Sequence, residues 1–150
     1  MSKLIFVNLP VSDLERSVNF YEAIGAQRNA MFSDDTAACM VFSETIHVML
    51  LTHAKFRQFT SKKIADARET SEVLICSSAE SRGAVDEITE NAIAAGGREP
   101  RSAEDHGFMY GRSFEDLDGH IWEPMWMDMG ALGDQHAAEA AAEHAEAASA

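Results

Sequence analysis

Apolar and polar positions along the chain fall into short alternating runs broken twice by a helical period. Leu4 to Leu9 is apolar and β-prone, and Pro10 closes it as a first strand. In Ser12-Asp13-Leu14-Glu15, Ser12 is placed to cap a helix and Glu15 to reach back to it. Leu14, Val18 and Tyr21 then recur at helical spacing, and Gly25 stands where the helix should stop. Three strand-like runs follow, Ala26 to Phe32, Thr36 to Phe42 and Ile46 to Leu51, with Asp34-Asp35 and Ser43-Glu44-Thr45 as the turns between them. The first half reads β-α-β-β-β.

The same order then starts again. Glu72 to Cys76 predicts a strand with Val73 and Ile75 on the helix-covered face and Glu72 and Leu74 on the other. Val85, Ile88, Ala92 and Ala95 mark one face of a helix over Ser81 to Ala95, stopped by Gly96-Gly97. Strands are expected at Arg98 to Ala103, Gly107 to Phe114 and His120 to Met127, with Asp118-Gly119 as a tight turn. The last strands of the two halves correspond, Thr45-Ile46-His47-Val48-Met49 with Gly119-His120-Ile121-Trp122-Glu123. One helix on a few strands buries too little apolar surface to stand alone, so the halves should share a core. The expected fold class is α+β, one domain over 3–127 made of modules 3–52 and 71–127.

Two segments fall outside the repeat. The connector 53–70 is polar and carries Lys55, Arg57, Lys62, Lys63 and Arg68, a basic run with no counterpart elsewhere. It reads either as a solvated link or as a mobile flap over an anionic ligand. The tail 131–150 is rich in alanine and glutamate, with hardly a large apolar residue after Leu132, and is expected to be frayed helix or disordered. Its His136 and His144 are expected in solvent.

Composition narrows the partners. A length of 150 residues suits one compact domain. With 25 acidic against 12 basic residues the net charge is -13, which disfavours nucleic acid and anionic membranes as partners. Cys39 and Cys76 form no paired motif, the N-terminus lacks a signal-like apolar run, and no window is apolar enough to span a bilayer. A cytoplasmic location is the expectation.

Three stretches carry a family resemblance. Asn8-Leu9-Pro10-Val11-Ser12-Asp13-Leu14-Glu15-Arg16-Ser17-Val18-Asn19-Phe20-Tyr21 is similar to the opening strand and "V-x-D-L-x-x-S-x-x-F-Y" helix of the vicinal oxygen chelate superfamily. Phe114-Glu115-Asp116-Leu117-Asp118-Gly119-His120-Ile121-Trp122-Glu123 resembles its closing strand, with Leu117 where proline is usual. Between them lies the matching second strand and helix. The resemblance implies two βαβββ modules forming a curved, partly open mixed sheet around a cleft, with helices on its outer face. It also implies a homodimer, because modules in that superfamily pair within or between chains. Relatives include glyoxalases, extradiol dioxygenases and antibiotic-binding proteins, so the motifs speak for fold more than for function.

Carried over position by position, the four metal-ligand sites of the metal-using relatives fall on Phe6, on Met49 (or Leu50 one step away), on Glu72 and on Glu123. Phe6 has no donor atom, and a thioether suits soft ions rather than hard divalent ones. No cofactor and no metal are therefore expected; were a metal bound, Glu72, Glu123 and His47 would be its donors.

Glu72 and Glu123 in one oily cleft would raise each other's pKa, and one could act as acid while the other acts as base. Phe6, Asn8, His47, Met49 and Leu74 are expected to line that cleft. Phe108, Tyr110 and Arg112 share one strand face with Phe114, and are expected there as well because a strand arginine needs an anionic partner. Trp122 and Trp126 alternate with Glu123 and belong to the helix-packed side, while His120 is expected at the surface. Two functions remain open: a protein that binds a planar or cationic small molecule, or a glyoxalase-type lyase, isomerase or transferase using Glu123 and Glu72.

Overall fold

A computed structural model describes residues 1–149, apart from the side chains of Leu132 and Gln135. Strand β1 (Ile5–Val11) runs parallel to β4 (Ile46–Thr52), which pairs antiparallel with β3 (Ala37–Val41), and β3 in turn with β2 (Gln27–Asn29). Helix α1 (Leu14–Ala23) crosses between β1 and β2, and a 3₁₀ turn (Ala30–Phe32) ends β2. The second half repeats this plan. Strand β5 (Leu74–Ser78) lies parallel to β9 (Ile121–Met127), with α3 (Arg82–Ala94) as its crossover. Antiparallel to β9 lie β7 (Met109–Gly111), edged by β6 (Glu104–Asp105), and β8 (Phe114–Glu115). These are two mixed sheets of one α+β fold, neither closed into a barrel. The short helix α2 (His53–Phe56) opens the connector, and α4 (Met129–Ser149) is an exposed helix over the expected tail; Ala150 lies outside the described residues.

Period-two pleating decides which side chains are buried. Leu9 and Val11 of β1, Val48 and Leu50 of β4, and Ala38 and Met40 of β3 face α1, whose Leu14, Val18, Phe20 and Tyr21 are buried against them. In the second sheet Trp122 and Phe114 turn to the helix side and join the same cluster, together with Ala92 of α3. Phe20 meets Phe114 at 6.1 Å and Tyr21 meets Trp122 at 5.9 Å between ring centroids, so the modules share one core through their helix-covered faces. Each such ring, fully buried, contributes about 2 kcal/mol over an exposed one.

The sequence places the elements well and their edges less well. β5 begins at Leu74, not Glu72, so Glu72 precedes the strand and is exposed. The expected strand Arg98 to Ala103 reduces to one bridge, Arg98 with Glu115, ahead of β6. The expected strand Gly107 to Phe114 is split into β7 and β8, although Gly111 opposite Met125 and Phe114 opposite Trp122 keep one register. Pro124 is the cause. Arg112 donates its N–H to the Pro124 carbonyl at 3.2 Å, but Pro124 has no N–H to return. The helix cap is Asp13, whose carboxylate accepts from Arg16 N at 3.2 Å, rather than Ser12.

Candidate functional site

The closing motif first makes a joint between modules. Asp116 is buried, and its Oδ2 accepts a 2.6 Å hydrogen bond from the Tyr21 hydroxyl, which itself accepts from Trp122 Nε1 at 3.0 Å. Asp116 Oδ1 accepts from the backbone N–H groups of Asp118 and His120. Asp118 accepts from Ser12 N at 2.9 Å, and His120 Nε2 donates to the Pro10 carbonyl at 2.9 Å. His120 is thus half-buried and engaged, a correction to its expected surface place, because the turn folds back onto the end of β1.

Gly119 sits at that joint with φ +96°, and a Cβ there would stand 2.7 Å from Arg68 N and 2.8 Å from the Ala67 carbonyl carbon. Arg68 also donates from its guanidinium to the Leu117 carbonyl at 2.6 Å. The connector leaves β4 through α2, capped by Thr52, and is pinned at its far end to this turn. Its span arches over two cavities.

The smaller, about 290 Å³, brings Asn8 and Glu72 together, one from each half of the chain. Its apolar lining includes Pro10, Phe56, Ile64, Val73 and Ile121, and Lys62 and Lys63 reach it from the connector. Thr60, Thr70, Ser71 and His120 add further polar groups, so the cavity mixes an apolar wall with a polar and charged rim. Phe6 and Asn8 share one face of β1, and Phe6 is 51% exposed. The His47 ring stacks against Phe6 with centroids 4.6 Å apart and planes 18° from parallel. His47 Nδ1 is buried and, among the described residues, has no hydrogen-bond partner. Met49 sits beside Asn8 in the register of the parallel pair, and so extends this face. Leu74, 58% exposed, starts β5 on the face that carries Cys76 and Glu123.

Other expected members of the site lie elsewhere. Glu123 is not in the Glu72 cavity; it is ion-paired to Arg101, which also holds Glu104. Tyr110 and Arg112 face α3, a correction to their expected place in a cleft. Tyr110 donates its hydroxyl to Asp86 at 2.6 Å, and Arg112 bonds Asp86 at 3.1 Å, Glu90 at 2.7 Å and Glu99 at 2.7 Å. The arginine's anionic partners are thus the protein's own, supplied by α3 and the segment after it. That hydrogen bond and Arg112 hold the Asp86 carboxyl below its ordinary value, against desolvation. Phe108 lies in the turn before β7, its carbonyl bonded to Asp128 N. Cys76 pairs with Glu123 across β5 and β9, and burial followed by the Glu123 charge pushes its thiol pKa up, away from thiolate chemistry.

The sequence reading missed Phe56, Ile64 and His120 as cavity walls. Phe56 and Ile64 had a signal, as large apolar residues isolated in a polar segment that must return to the body of the protein.

The donors carried over from metal-using relatives do not assemble in one chain. Among the described residues, no three of His, Cys, Asp and Glu stand close enough together to hold an ion. Phe6 and Met49 offer no hard donor and Glu123 is engaged by Arg101, so these four positions do not fit a hard divalent ion. Among the described residues, no helix is long and apolar enough to cross a membrane.

Comparison with known proteins agrees with this architecture. The family described as bleomycin resistance protein-like N-terminal matches residues 3–43. No curated protein matches the sequence significantly. The structure is similar to that of hypothetical protein SA1046 from S. aureus, with TM-score 0.71 and 26% identity over 84% of this chain and 94% of that one. It is similar to a glyoxalase/bleomycin resistance protein/dioxygenase family enzyme from Burkholderia phytofirmans PsJN, with TM-score 0.68 and 17% identity over 84% and 99% of the chains. It is also similar to the genomically encoded fosfomycin resistance protein FosX from Listeria monocytogenes, with TM-score 0.60 and 22% identity over 84% and 91%. The chain has the fold of these glyoxalase- and bleomycin-resistance-type structures, the fold its motifs imply.

Proposed function

We propose that the protein binds a planar, largely apolar small molecule along the open face of β1, from the Phe6 and His47 rings to the cavity beneath the connector. The observation that carries this reading is the cavity of about 290 Å³ in which Asn8 and Glu72 meet over apolar walls. Asn8 supplies a donor and an acceptor, and Glu72 is a seat for a cationic group on the ligand. The exposed ring of Phe6 offers a stacking surface worth about 1 kcal/mol beyond the area it covers.

A second copy of the chain would complete the site. β1 and β5 are the outer strands of their sheets, and Leu4, Ile5, Phe6, Ile46, Val73 and Leu74 on or beside them are large, apolar and exposed. A partner laid along these strands would cover that surface and turn the Phe6 face into the wall of a cleft. Such a homodimer is what the superfamily resemblance implies.

The test is titration with the planar cationic dye proflavine, followed by its fluorescence, in wild type and in Phe6→Ala, Asn8→Ala and Glu72→Gln. Saturable binding is expected, weakened about tenfold by Phe6→Ala, the equivalent of about 1.4 kcal/mol. Binding that none of the three substitutions alters would overturn the reading.

A further inference from the structure

We infer that the second cavity beneath the connector, about 660 Å³ and bounded by α2, residues 57–68 and the Asp118–His120 turn, is a binding site for the phosphate group of a small organic phosphate. Arg57, Lys62, Lys63 and Arg68 line it, a third of the 12 basic residues in a chain of net charge -13. Such a concentration runs against the charge of the whole molecule. Among the described residues, Arg57, Lys62 and Lys63 have no carboxylate within ion-pair distance, whereas Arg28, Arg82, Arg98, Arg101 and Arg112 each have at least one.

The two acids on the cavity wall, Asp66 and Asp118, offset only part of that charge, four cations standing against two carboxylates. Asp66 Oδ1 accepts from Arg68 N at 3.0 Å, and Asp118 accepts from Ser12 N at 2.9 Å and Ser17 Oγ at 3.5 Å. Both carboxylates are thus turned to backbone and hydroxyl donors. The Thr60 hydroxyl adds a neutral donor to the lining.

The site is held open before any ligand arrives. α2 fixes one end of the arch, and the close contact of Ala67 and Arg68 with Gly119, together with the Arg68 bond to the Leu117 carbonyl, fixes the other. A fork of guanidinium donors beside two ammonium groups, at a cavity of this volume, suits a compact dianion with three terminal oxygens. This site adjoins the Asn8 cavity, sharing Pro10, His120 and connector residues that include Lys62 and Lys63, but Arg57, Arg68 and Asp118 line it alone, as Asn8 and Glu72 line the other.

The experiment is calorimetric titration with phenyl phosphate at low ionic strength, in wild type, the Lys62→Ala/Lys63→Ala double variant, Lys3→Ala and Asn8→Ala. Lysines 62 and 63 are exposed, so their loss leaves the core untouched. Wild type should bind with a saturable one-to-one isotherm, and the double variant about tenfold or more weakly. Lys3→Ala and Asn8→Ala should match wild type, since neither residue lines this cavity. The inference is overturned if wild type shows no saturable binding, or if the double variant binds as well as wild type. A loss as large in Lys3→Ala or Asn8→Ala overturns it too, as does succinate binding as tightly as phenyl phosphate.

Discussion

The Tyr21 hydroxyl donates to Asp116 Oδ2 at 2.6 Å, and so ties the first helix of one module to the last turn of the other. Burial raises the Tyr21 pKa well above its ordinary value, with the Asp116 charge adding to the effect, so the phenol keeps the proton it donates. The same oxygen accepts from Trp122 Nε1, which makes it the hinge pin of a three-residue chain.

Tyr21→Phe should therefore cost more than one hydrogen bond. It strips Asp116 Oδ2 of its donor and Trp122 Nε1 of its acceptor where all three residues are buried, for a loss of about 2–3 kcal/mol. Urea unfolding followed by tryptophan fluorescence measures this. A loss under about 0.5 kcal/mol, the range of an ordinary surface substitution, would show that the joint does not depend on this bond.

Asp116 should also leave a mark on the pH dependence of stability. Burial pushes its carboxyl above the ordinary 3.8, against the His120 charge and the hydrogen bonds from Tyr21, His120 and Asp118. Between the unfolded and folded values the native state holds more protons than the unfolded chain, so stability from this group is highest below 3.8 and declines as pH rises through the folded value. Asp116→Asn is neutral throughout and lacks this decline. Urea unfolding of both proteins from about pH 3.5 to 6 should show wild type losing ground to the variant as pH rises. The opposite slope would mean that the donors around Asp116 outweigh its burial.

Gly119→Ala tests the anchor of the connector. The added Cβ meets the backbone of Ala67 and Arg68 and stands on a backbone with φ +96°. A destabilisation of about 2 kcal/mol is expected, with the arch released from the turn. Trypsin should then cut at Lys62 and Lys63 faster than in wild type. Unchanged stability and unchanged cleavage would show that the contact is dispensable.

Much of this architecture could be read from local pattern. The two βαβββ repeats, both crossover helices and the Gly119 turn follow from periodicity and turn chemistry acting within a few residues of chain. What escaped depends on partners far apart in sequence. Ser12 has the right residue type for a cap, yet its N–H is claimed by Asp118 more than a hundred residues away, and Asp13 caps instead. Arg112 needed an anion, but that the anions were Asp86, Glu90 and Glu99 follows from how α3 lies on the second sheet. Glu72 fell on the wrong side of a strand boundary by two residues, where period-two reasoning has no purchase.

The joint built from Tyr21, Asp116, Asp118 and His120 separates two kinds of specification within one chain. The residues by which the fold is recognised are spent on fastening its halves, while Phe6, His47, Met49 and Glu72 take no part in that fastening. If the β1 face is the binding surface proposed above, exchanging the latter redirects what it holds without reopening the question of how the chain folds.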